Sequence, residues 1–470
     1  MKITPRFKRF CVVTLIAFAF CSHNAFAGNS FDTAYARILQ QRIEHLKSSF
    51  NLVGISAAAE VPGQGVWLGT AGISHVNVNI DTGMVFDIGS ITKNFVAALT
   101  LQLVEADSLS LTDSIGTWLP QYPNINNKVT IKQLLDHTSG LYNFTDNSVW
   151  ANAVNADPYR VWTLEEVLQG YILNPYFPPG AGWRYSNTNY TILTIIIRQI
   201  TGSDLPELFR SRFFTPLGMN TAYVELTDTI TAPFAHNWVQ SGSQLVDAYG
   251  YPRIAFTSSA YGPGGVITRP ENMLRWSKAL YGGQIISNNT LDQMLTFVTA
   301  NISGANGYGL GTMRYNVGGK ICWGHGGNSF GHSSVSMHYA PGGISIAIMM
   351  NRDINTGPIG IDFMNTVISF NPTGLTPVSS EVPREFNLNQ NYPNPFNPVT
   401  KIVFSLPQTS GVSLKVFDAA GKEVSELLSR ELKAGQYEYE WNAANMPSGV
   451  YFYMLRAGEF TQTKKMVLVK

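Results

Sequence analysis

Cysteine is scarce in this chain of 470 residues, which contains three. Cys11 and Cys21 lie in an apolar N-terminal segment, and loss of that segment would leave Cys322 alone. A single thiol cannot close an internal disulfide, so the folded chain is not a disulfide-held scaffold. Its stability has to come from a hydrophobic core, and 44% of the residues are hydrophobic.

Charge is also scarce, at 13% of the residues, against about 25% in a typical soluble protein. The formal net charge at pH 7 is +1. Nucleic-acid binding needs a strong basic excess that displaces counterions. We therefore expect no nucleic-acid partner.

A hydrophobic run long enough to span a membrane, roughly 20 residues, is the third absence. The N-terminal apolar run covers residues 10–20, follows a start rich in lysine and arginine, and precedes Ala25-Phe-Ala27. These three features in this order are typical of a cleaved secretory signal peptide. We predict a signal peptide over residues 1–27 and no transmembrane span in the mature chain.

The remaining chain divides at a segment rich in proline and serine, residues 371–385, which predicts a linker. Before it, residues 28–370 mix helical and strand patterns. After it, residues 386–470 contain short runs with period-two alternation that are separated by glycines, at residues 401–406, 412–417, 437–441, 449–455 and 463–469. This pattern predicts a small β-sandwich.

Ser90-Ile-Thr-Lys93 is the first of three motifs with a chemical meaning. Residues 94–104 predict a helix, and helical residues three apart share one face. Ser90 and Lys93 can therefore meet at a helix N-terminus, where free N–H groups favour a developing oxyanion. A lysine whose pKa is lowered by burial could remove the serine proton. The alternative is a helix cap followed by a surface lysine.

Tyr185-Ser-Asn187 is the second motif, between a proline-rich turn and an apolar run over residues 190–200 that predicts a buried helix. At such a junction the Tyr185 phenol can transfer protons. The Asn187 amide can bind a substrate carbonyl and orient Lys93. A core tyrosine followed by a capping asparagine is the alternative.

His325-Gly-Gly327 is the third motif, after a predicted strand. Its glycines allow a substrate backbone to pair with the strand edge, so Gly327 is a candidate binding residue. His325 could bind a substrate carboxylate or the leaving group, and the Asn328 N–H could be an oxyanion donor together with the Ser90 N–H. A glycine-rich hairpin turn is the alternative. The histidines here lack metal-ligand spacing, so no metal is expected.

A further pattern, Gly327-Asn-Ser329-Phe-Gly331, fits the Gly-x-Ser-x-Gly nucleophile elbow. That elbow requires a helix directly after the serine. Residues 333–339 alternate like a strand instead, and residues 344–350 indicate a buried strand. Ser329 is therefore kept only as a fallback nucleophile.

The stretches that carry these motifs resemble the serine β-lactamase and D-Ala-D-Ala-peptidase superfamily, in its class C-like branch with D-aminopeptidases and family VIII esterases. They are residues 87–93, 134–141, 179–187 and 323–327. The resemblance implies an α+β fold: an antiparallel sheet flanked by helices, plus an all-helical subdomain. It also implies Ser90 as the acylated nucleophile, with Lys93 and Tyr185 as the acid–base pair. Asn187 and His325 would then bind substrate.

One departure from the lactamase pattern matters, because class C β-lactamases usually have Lys-Thr-Gly where this chain has His325-Gly-Gly. Loss of a cation should weaken recognition of a carboxylate. We therefore expect an exported serine hydrolase for ester or amide bonds, either an esterase or similar to D-Ala-D-Ala carboxypeptidases and aminopeptidases, that needs no cofactor. A β-lactamase, a penicillin-binding sensor that stays acylated, and a non-catalytic binding module are the alternatives.

The walls of the substrate pocket are predicted to come from residues 142–159 and 249–263. Their aromatic content indicates an apolar acyl or peptide group in the substrate. The aromatic residues are Trp150, Tyr159, Tyr249, Tyr251, Phe256 and Tyr261.

The C-terminal part resembles the type IX secretion sorting domain. The resemblance rests on Asn391-Tyr-Pro-Asn-Pro-Phe-Asn-Pro398, Ser448-Gly-Val-Tyr-Phe-Tyr453 and residues 464–470. It implies type IX machinery as a partner and transport through the periplasm and outer membrane, to the medium or the cell surface. A sandwich that binds carbohydrate or spaces the enzyme is the alternative.

Overall fold

The computed structural model describes residues 31–369, 375–379, 382–443 and 446–470. The predicted signal peptide, residues 1–27, lies outside the described residues. Across the described part of the chain, no helix combines the length and apolarity that crossing a membrane requires.

Helices and strands are numbered here in chain order. The helices are α1 Thr33–Ser49, α2 Thr92–Glu105, α3 Ile131–Leu135, α4 Ser148–Ala156, α5 Leu164–Gly170, α6 Asn187–Thr201, α7 Leu205–Phe209, α8 Ile254–Ser259, α9 Pro270–Tyr281, α10 Asn288–Met294 and α11 Thr356–Ser369. Short 3₁₀ or π turns lie at Gly89–Ile91, Ile115–Thr117, Phe144–Asp146, Arg210–Phe214 and Ala340–Gly342.

The strands of the larger, N-terminal part are β1 Gly54–Val61, β2 Gly65–His75, β3 Val78–Asn79, β4 Phe86–Asp87, β5 Tyr223–Val224, β6 Trp238–Ser241, β7 Gln244–Asp247, β8 Val266–Thr268, β9 Val298–Ile302, β10 Ala305–Tyr308, β11 Met313–Val317, β12 Lys320–Ser329, β13 His332–Tyr339 and β14 Ile344–Met350. Those of the C-terminal part are β15 Leu375–Ser379, β16 Asn387–Leu388, β17 Val399–Leu406, β18 Ser410–Asp418, β19 Glu423–Leu432, β20 Gly435–Asn442, β21 Gly449–Ala457 and β22 Phe460–Leu468.

A nine-stranded antiparallel sheet, in the order β3-β2-β1-β14-β13-β12-β11-β10-β9, forms the centre of the larger part. Successive side chains of a strand point to opposite faces. Ala57 and Ala59 accordingly pack in the core beneath α1 and α11, whereas Ala58 and Met349 pack in the core that contains α2 and α9. Helices thus cover both faces, as the predicted α+β fold requires. The predicted buried strand at residues 344–350 is confirmed as β14.

Helix α2 lies in the centre of the helical core, and every residue of it from Thr92 to Leu101 is buried. A helix that is apolar on all sides is stable only when other elements surround it. The 3₁₀ turn Gly89–Ile91 leads directly into α2. This arrangement fixes the start of α2, and therefore Ser90, next to the sheet.

The C-terminal part consists of two four-stranded sheets, β15-β20-β17-β16 and β19-β18-β21-β22, which share one hydrophobic core. The predicted β-sandwich is therefore confirmed. Strand β15 lies within residues 371–385, which the sequence analysis assigns to a linker, and pairs with β20. The domain boundaries stay a prediction. Strand β19, for which the sequence analysis gives no strand, pairs with β18.

Candidate active site

Ser90 and Lys93 lie together at the start of α2. Lys93 is fully buried, and its Nζ is 2.9 Å from Ser90 Oγ. Nζ also donates to the Pro263 carbonyl oxygen at 3.0 Å. Burial lowers the pKa of Lys93 well below its ordinary value, because the desolvated ammonium loses its hydration. A lysine amine can therefore face the Ser90 hydroxyl in its neutral form.

Tyr185 completes this group from the residues just before α6. Lys93 Nζ is 4.9 Å from the centroid of the Tyr185 ring. The Tyr185 hydroxyl is buried and forms no hydrogen bond of 3.5 Å or less within the described residues. Burial raises the pKa of Tyr185, and the neighbouring Ser90 hydroxyl partly offsets this rise. The three side chains predicted to be catalytic are thus brought together, with a phenol free to donate.

Gly327 lies on the part of β12 that runs alongside Gly89–Ile91, the turn that carries the nucleophile Ser90. Strand β11 pairs with β12 only as far as Gly324, and residues 325–329 continue beyond it. A Cβ on Gly327 would lie 2.0 Å from the Ile88 carbonyl oxygen and 2.8 Å from Ser90 N. Glycine is required here because the two backbones touch.

Gly89, in the turn that carries Ser90, makes a matching backbone contact with Asn328 of β12. Its φ is +50°, and a Cβ there would lie 2.5 Å from the Asn328 carbonyl oxygen and 2.8 Å from Asn328 N. Ser90 and Asn328 therefore belong to backbone segments in direct contact. The assignment of their N–H groups as the two oxyanion donors stays a prediction.

Asn187, the first residue of α6, lines the same cleft as Ser90. Its side-chain amide donates to Thr145 Oγ1 at 2.9 Å, and its backbone N–H donates to Asn143 Oδ1 at 2.9 Å. The hydrogen-bond partners of Lys93 in the described residues are Ser90 and Pro263. Asn187 thus reaches the cleft, but the expectation that it orients Lys93 by a hydrogen bond is wrong.

His325 needs a larger correction. Its side chain is buried, with Nδ1 2.5 Å from the Gly326 carbonyl oxygen and Nε2 2.9 Å from Tyr308 Oη. Nδ1 must donate to that carbonyl, so Nε2 accepts from the Tyr308 hydroxyl. Burial, with a smaller effect of the Lys93 charge, lowers the pKa of His325 to about 3. Both nitrogens are occupied inside the protein, and no donor remains for a substrate carboxylate.

Tyr308 is a site residue that the sequence analysis misses. It is fully buried at the end of β10 and lies between Gly307 and Gly309. A Cβ on Gly309 would lie 2.2 Å from the Met294 carbonyl oxygen. Glycines that flank an aromatic residue mark such a close backbone approach, which was the available signal.

His137 packs against the ring of Tyr185. It is fully buried with a φ of +62°, and the two ring centroids are 4.3 Å apart. Its Nδ1 is 3.2 Å from the Ser186 N–H donor and 3.1 Å from Asn189 Nδ2. Nδ1 thus accepts and Nε2 carries the proton. Burial is the main cause that lowers the pKa of His137 well below its ordinary value.

Residues 39–365 match the family model described as Beta-lactamase. The chain belongs to the beta-lactamase family. Residues 390–470 match the model described as Secretion system C-terminal sorting domain. This member of the beta-lactamase family therefore carries a type IX sorting domain, which places it among secreted or cell-surface proteins.

Two curated relatives illustrate the family. Penicillin-binding protein 4* of Bacillus subtilis (strain 168) is 27% identical over 292 residues, 59% of this chain and 63% of that protein. A D-aminopeptidase of Cereibacter sphaeroides (strain ATCC 17029 / ATH 2.4.9) is 27% identical over 279 residues, 58% of this chain and 51% of the relative. The chain thus spans between 51% and 63% of the length of these relatives.

Solved structures share the fold of this family member. The D-stereospecific amidohydrolase from Streptomyces sp. has a TM-score of 0.61 and 27% identity, covering 71% of this chain and 98% of its own. The D-amino acid amidase from Ochrobactrum anthropi SV3, complexed with L-phenylalanine amide, has a TM-score of 0.63 and 23% identity, covering 72% and 99%.

Ser329, the fallback nucleophile, ends β12 in a hairpin rather than in a strand–helix elbow. Phe330 and Gly331 form the turn, with φ values of +29° and +86°, and β13 follows directly. The Ser329 hydroxyl donates a hydrogen bond to Asp87 Oδ2 at 2.5 Å. This contact does not suit a nucleophile, because Asp87 and not a substrate carbonyl is its partner. The rejection of the elbow is confirmed by the strand that follows.

The predicted aromatic walls are only partly realised. Phe256 lines the cleft that contains Ser90, and the buried Trp150 packs against it with ring centroids 6.1 Å apart. Three other predicted wall residues are 49–67% exposed and do not line this cleft: Tyr159, Tyr249 and Tyr251. Within the described ranges, no three histidine, cysteine or carboxylate side chains are grouped so that they could hold a metal ion.

Proposed function

We propose that this chain is an exported serine hydrolase that cleaves ester or amide bonds, D-amino-acid peptides among them, through an acyl-enzyme on Ser90. The observation that carries the proposal is the 2.9 Å approach of the buried Lys93 amine to Ser90 Oγ. Burying an amine costs free energy. A nucleophile needs a neighbouring base with a lowered pKa, and Lys93 supplies one.

Acylation begins when Ser90 Oγ attacks the substrate carbonyl carbon and the hydroxyl proton passes to Lys93. The carbonyl oxygen becomes an oxyanion that accepts hydrogen bonds from the N–H groups of Ser90 and Asn328, worth about 3 kcal/mol per donor. Tyr185 then delivers a proton to the leaving oxygen or nitrogen, whose bond to the carbonyl carbon breaks. Lys93 restores the Tyr185 proton.

Deacylation follows the same path with water as nucleophile. Lys93 and Tyr185 take a proton from the water while its oxygen bonds to the acyl carbon. The bond from that carbon to Ser90 Oγ breaks, and Ser90 Oγ receives the proton that was taken from the water. Neither step calls for a metal or an organic cofactor.

The cleft favours neutral acyl groups. Its lining includes Asn187, Thr145 and Phe256, and no residue of the lining carries a positive charge. Because both nitrogens of His325 are occupied inside the protein, the cleft gains no cation from that position. We therefore place amide and ester substrates ahead of β-lactams, in line with the D-aminopeptidase and amidohydrolase relatives.

A second candidate is a penicillin-binding protein that is acylated and then deacylates very slowly. The resemblance to Penicillin-binding protein 4* favours it. It shares the Ser90 acyl-enzyme with the first candidate and differs in the rate of the water step. We further infer that the signal peptide at residues 1–27 directs the chain to the periplasm before the sorting domain directs it through the outer membrane.

The test measures intact mass and p-nitrophenol release after exposure to p-nitrophenyl butyrate, and mass alone after exposure to a D-amino acid amide and a penicillin. Continuous turnover without a lasting adduct, lost in Ser90→Ala, supports the hydrolase. A long-lived penicillin adduct without turnover supports the second candidate. Ser329→Ala tests the fallback nucleophile and must still form the acyl-enzyme on Ser90, even where its rate is lower. Acylation that survives in Ser90→Ala and is lost in Ser329→Ala contradicts both candidates.

A further inference from the structure

Asp87 lies between the two backbone segments that carry the oxyanion donors. It is 1% exposed, at the end of β4. Its Oδ1 accepts from the Gly89 N–H at 2.8 Å, and its Oδ2 accepts from the Ser329 hydroxyl at 2.5 Å. Gly89 directly precedes Ser90 and Ser329 directly follows Asn328. The Asp87 carboxylate is therefore hydrogen-bonded to a residue adjacent to each of the two proposed oxyanion donors.

Few other contacts could set the distance between these two segments. They touch backbone to backbone at Gly89 and Gly327, and neither residue has a side chain that could act as a spacer. A further link is the Ser334 hydroxyl, which donates to the Ile88 carbonyl oxygen at 2.7 Å from the neighbouring strand β13. The Asp87 carboxylate is the charged group in this contact, and hydrogen bonds to a charged acceptor are shorter and stronger than neutral ones.

Arg253 holds the carboxylate in turn. Its Nη2 donates to Asp87 Oδ2 at 2.6 Å and to Glu225 Oε2 at 2.7 Å. Arg253 directly precedes α8, and α8 carries Phe256, which lines the cleft. The ion pair thus links the oxyanion segments to a wall of the same cleft.

We propose that Asp87 is a positioning residue that sets the separation of the Ser90 and Asn328 N–H groups, and that Arg253 keeps its carboxylate in place. The inference rests on the proposed acyl-enzyme function, since only an oxyanion makes this separation matter. Preorganised donors stabilise a transition state because they need not move as charge develops. A shift of either segment therefore lowers kcat and leaves ground-state binding unchanged.

Ser329→Ala is the sharpest variant, because it removes one link and leaves Asp87 bonded to Gly89 and Arg253. Loss of a whole oxyanion donor costs about 10²–10³ in kcat, so we expect about a 10-fold loss for this displacement and a larger one, about 10²-fold, for Asp87→Asn. KM should stay within about twofold of the wild type. Ser329→Thr, which restores the hydroxyl, should recover most of the activity.

A boronic acid provides a readout that a merely structural role would not change. Ser90 Oγ bonds to boron and its proton passes to Lys93, which gives a tetrahedral boronate anion with an oxygen in the oxyanion hole. The inhibition constant should weaken by the same factor as kcat in Ser329→Ala and Asp87→Asn. Ser277→Ala is the control, since it removes a buried hydroxyl that contacts Ser336 Oγ at 2.8 Å.

Two results would overturn the inference. One is a kcat for Ser329→Ala within twofold of the wild type; the other is a loss that appears in KM and not in boronate binding. Ser329→Ala keeps the test valid if Asp87→Asn does not fold. An active Ser90→Ala variant would instead refute the proposed function itself, so the two failures are distinguishable.

Discussion

Lys93 in the catalytic region and Lys401 in the C-terminal sandwich show how differently two parts of one chain treat the same side chain. Lys93 is fully buried, and desolvation lowers its pKa. The side chain of Lys401 is 49% exposed and pairs with Glu438 at 2.7 Å, and that hydrogen bond raises its pKa. The first arrangement is costly and reactive, whereas the second adds little to stability.

The contrast extends beyond the lysines. The buried polar side chains of the described sandwich are uncharged: Asn391, Thr400, Ser405 and Ser410. The catalytic region also buries Asp87 and four histidines: His137, His325, His332 and His338. Groups that must lose or hold protons inside a protein reduce its stability, so their concentration in one region indicates where chemistry is done.

The largest expected effect comes from Lys93→Met. We expect kcat/KM to fall by at least about 10³-fold, because the base that accepts the Ser90 proton is gone. Stability should rise at pH 7, since the folded wild type must hold this lysine without its proton while the unfolded chain binds one. The wild-type free energy of unfolding therefore increases with pH between the lowered pKa and the ordinary one, near 10.5.

Urea unfolding at pH 7 and pH 9 measures this change. The variant should lose the part of the pH dependence that Lys93 causes. Equal or lower stability of Lys93→Met at pH 7 would show that the amine is not buried at a cost.

Two tyrosine variants form the next comparison. Tyr185→Phe should lower kcat about 10²-fold, as expected for loss of a proton-transfer group, with little change in stability because its hydroxyl has no partner within 3.5 Å in the described residues. Tyr453→Phe should instead lower stability and leave kcat unchanged. The Tyr453 hydroxyl donates to the Asn389 carbonyl and accepts from the Asn391 N–H, both at 2.8 Å. Leaving that N–H unsatisfied costs about 1–3 kcal/mol.

Steady-state kinetics and thermal melts of both variants check this separation of activity from stability. Parallel losses of activity and stability in either variant contradict it.

Acid should destabilise the catalytic region first. His325 and His332 have pKa values lowered to about 3 by burial, while the unfolded chain binds protons near pH 6.5. The free energy of unfolding should thus fall between pH 7 and pH 5, by up to about 1.4 kcal/mol per pH unit for each histidine. The sandwich has no histidine from residue 386 onward. Its transition should stay constant in this range.

Calorimetry at pH 5, 6 and 7 tests this difference, with the boronic acid used to identify the catalytic transition by its upward shift. Equal shifts of both transitions would mean that the buried histidines are not the cause.

The smallest effect is expected for Lys401→Met. The pair with Glu438 is exposed, and water and salt screen it. Melting temperature and turnover should match the wild type within error. A clear drop in melting temperature would show that the sandwich depends on its surface charges after all.

Local pattern was enough to predict much of the fold. Period-two alternation predicted strands β13, β17, β18, β20, β21 and β22, and an apolar run predicted β14. It failed at β19, where the run Glu423 to Leu432 has leucines and charges without clear alternation. Pairing with β18, interrupted by two register shifts, makes that segment a strand. Pairing with the neighbouring strand β18, and not a pattern within the segment, decided this assignment.

The sequence by itself determined that Ser90 and Lys93 meet, because they are three positions apart at the start of a helix. It also determined that the tail is a sandwich, because its apolar residues alternate. Only the tertiary structure decided what those groups can do. The pKa of Lys93 depends on burial by the surrounding fold. Asp87 reaches Ser329 across 242 positions of the chain. The hydrogen bond at His325 Nε2 exists because β10 places Tyr308 beside it. Proton affinities and hydrogen-bond partners follow from distance in space, which residue spacing does not report.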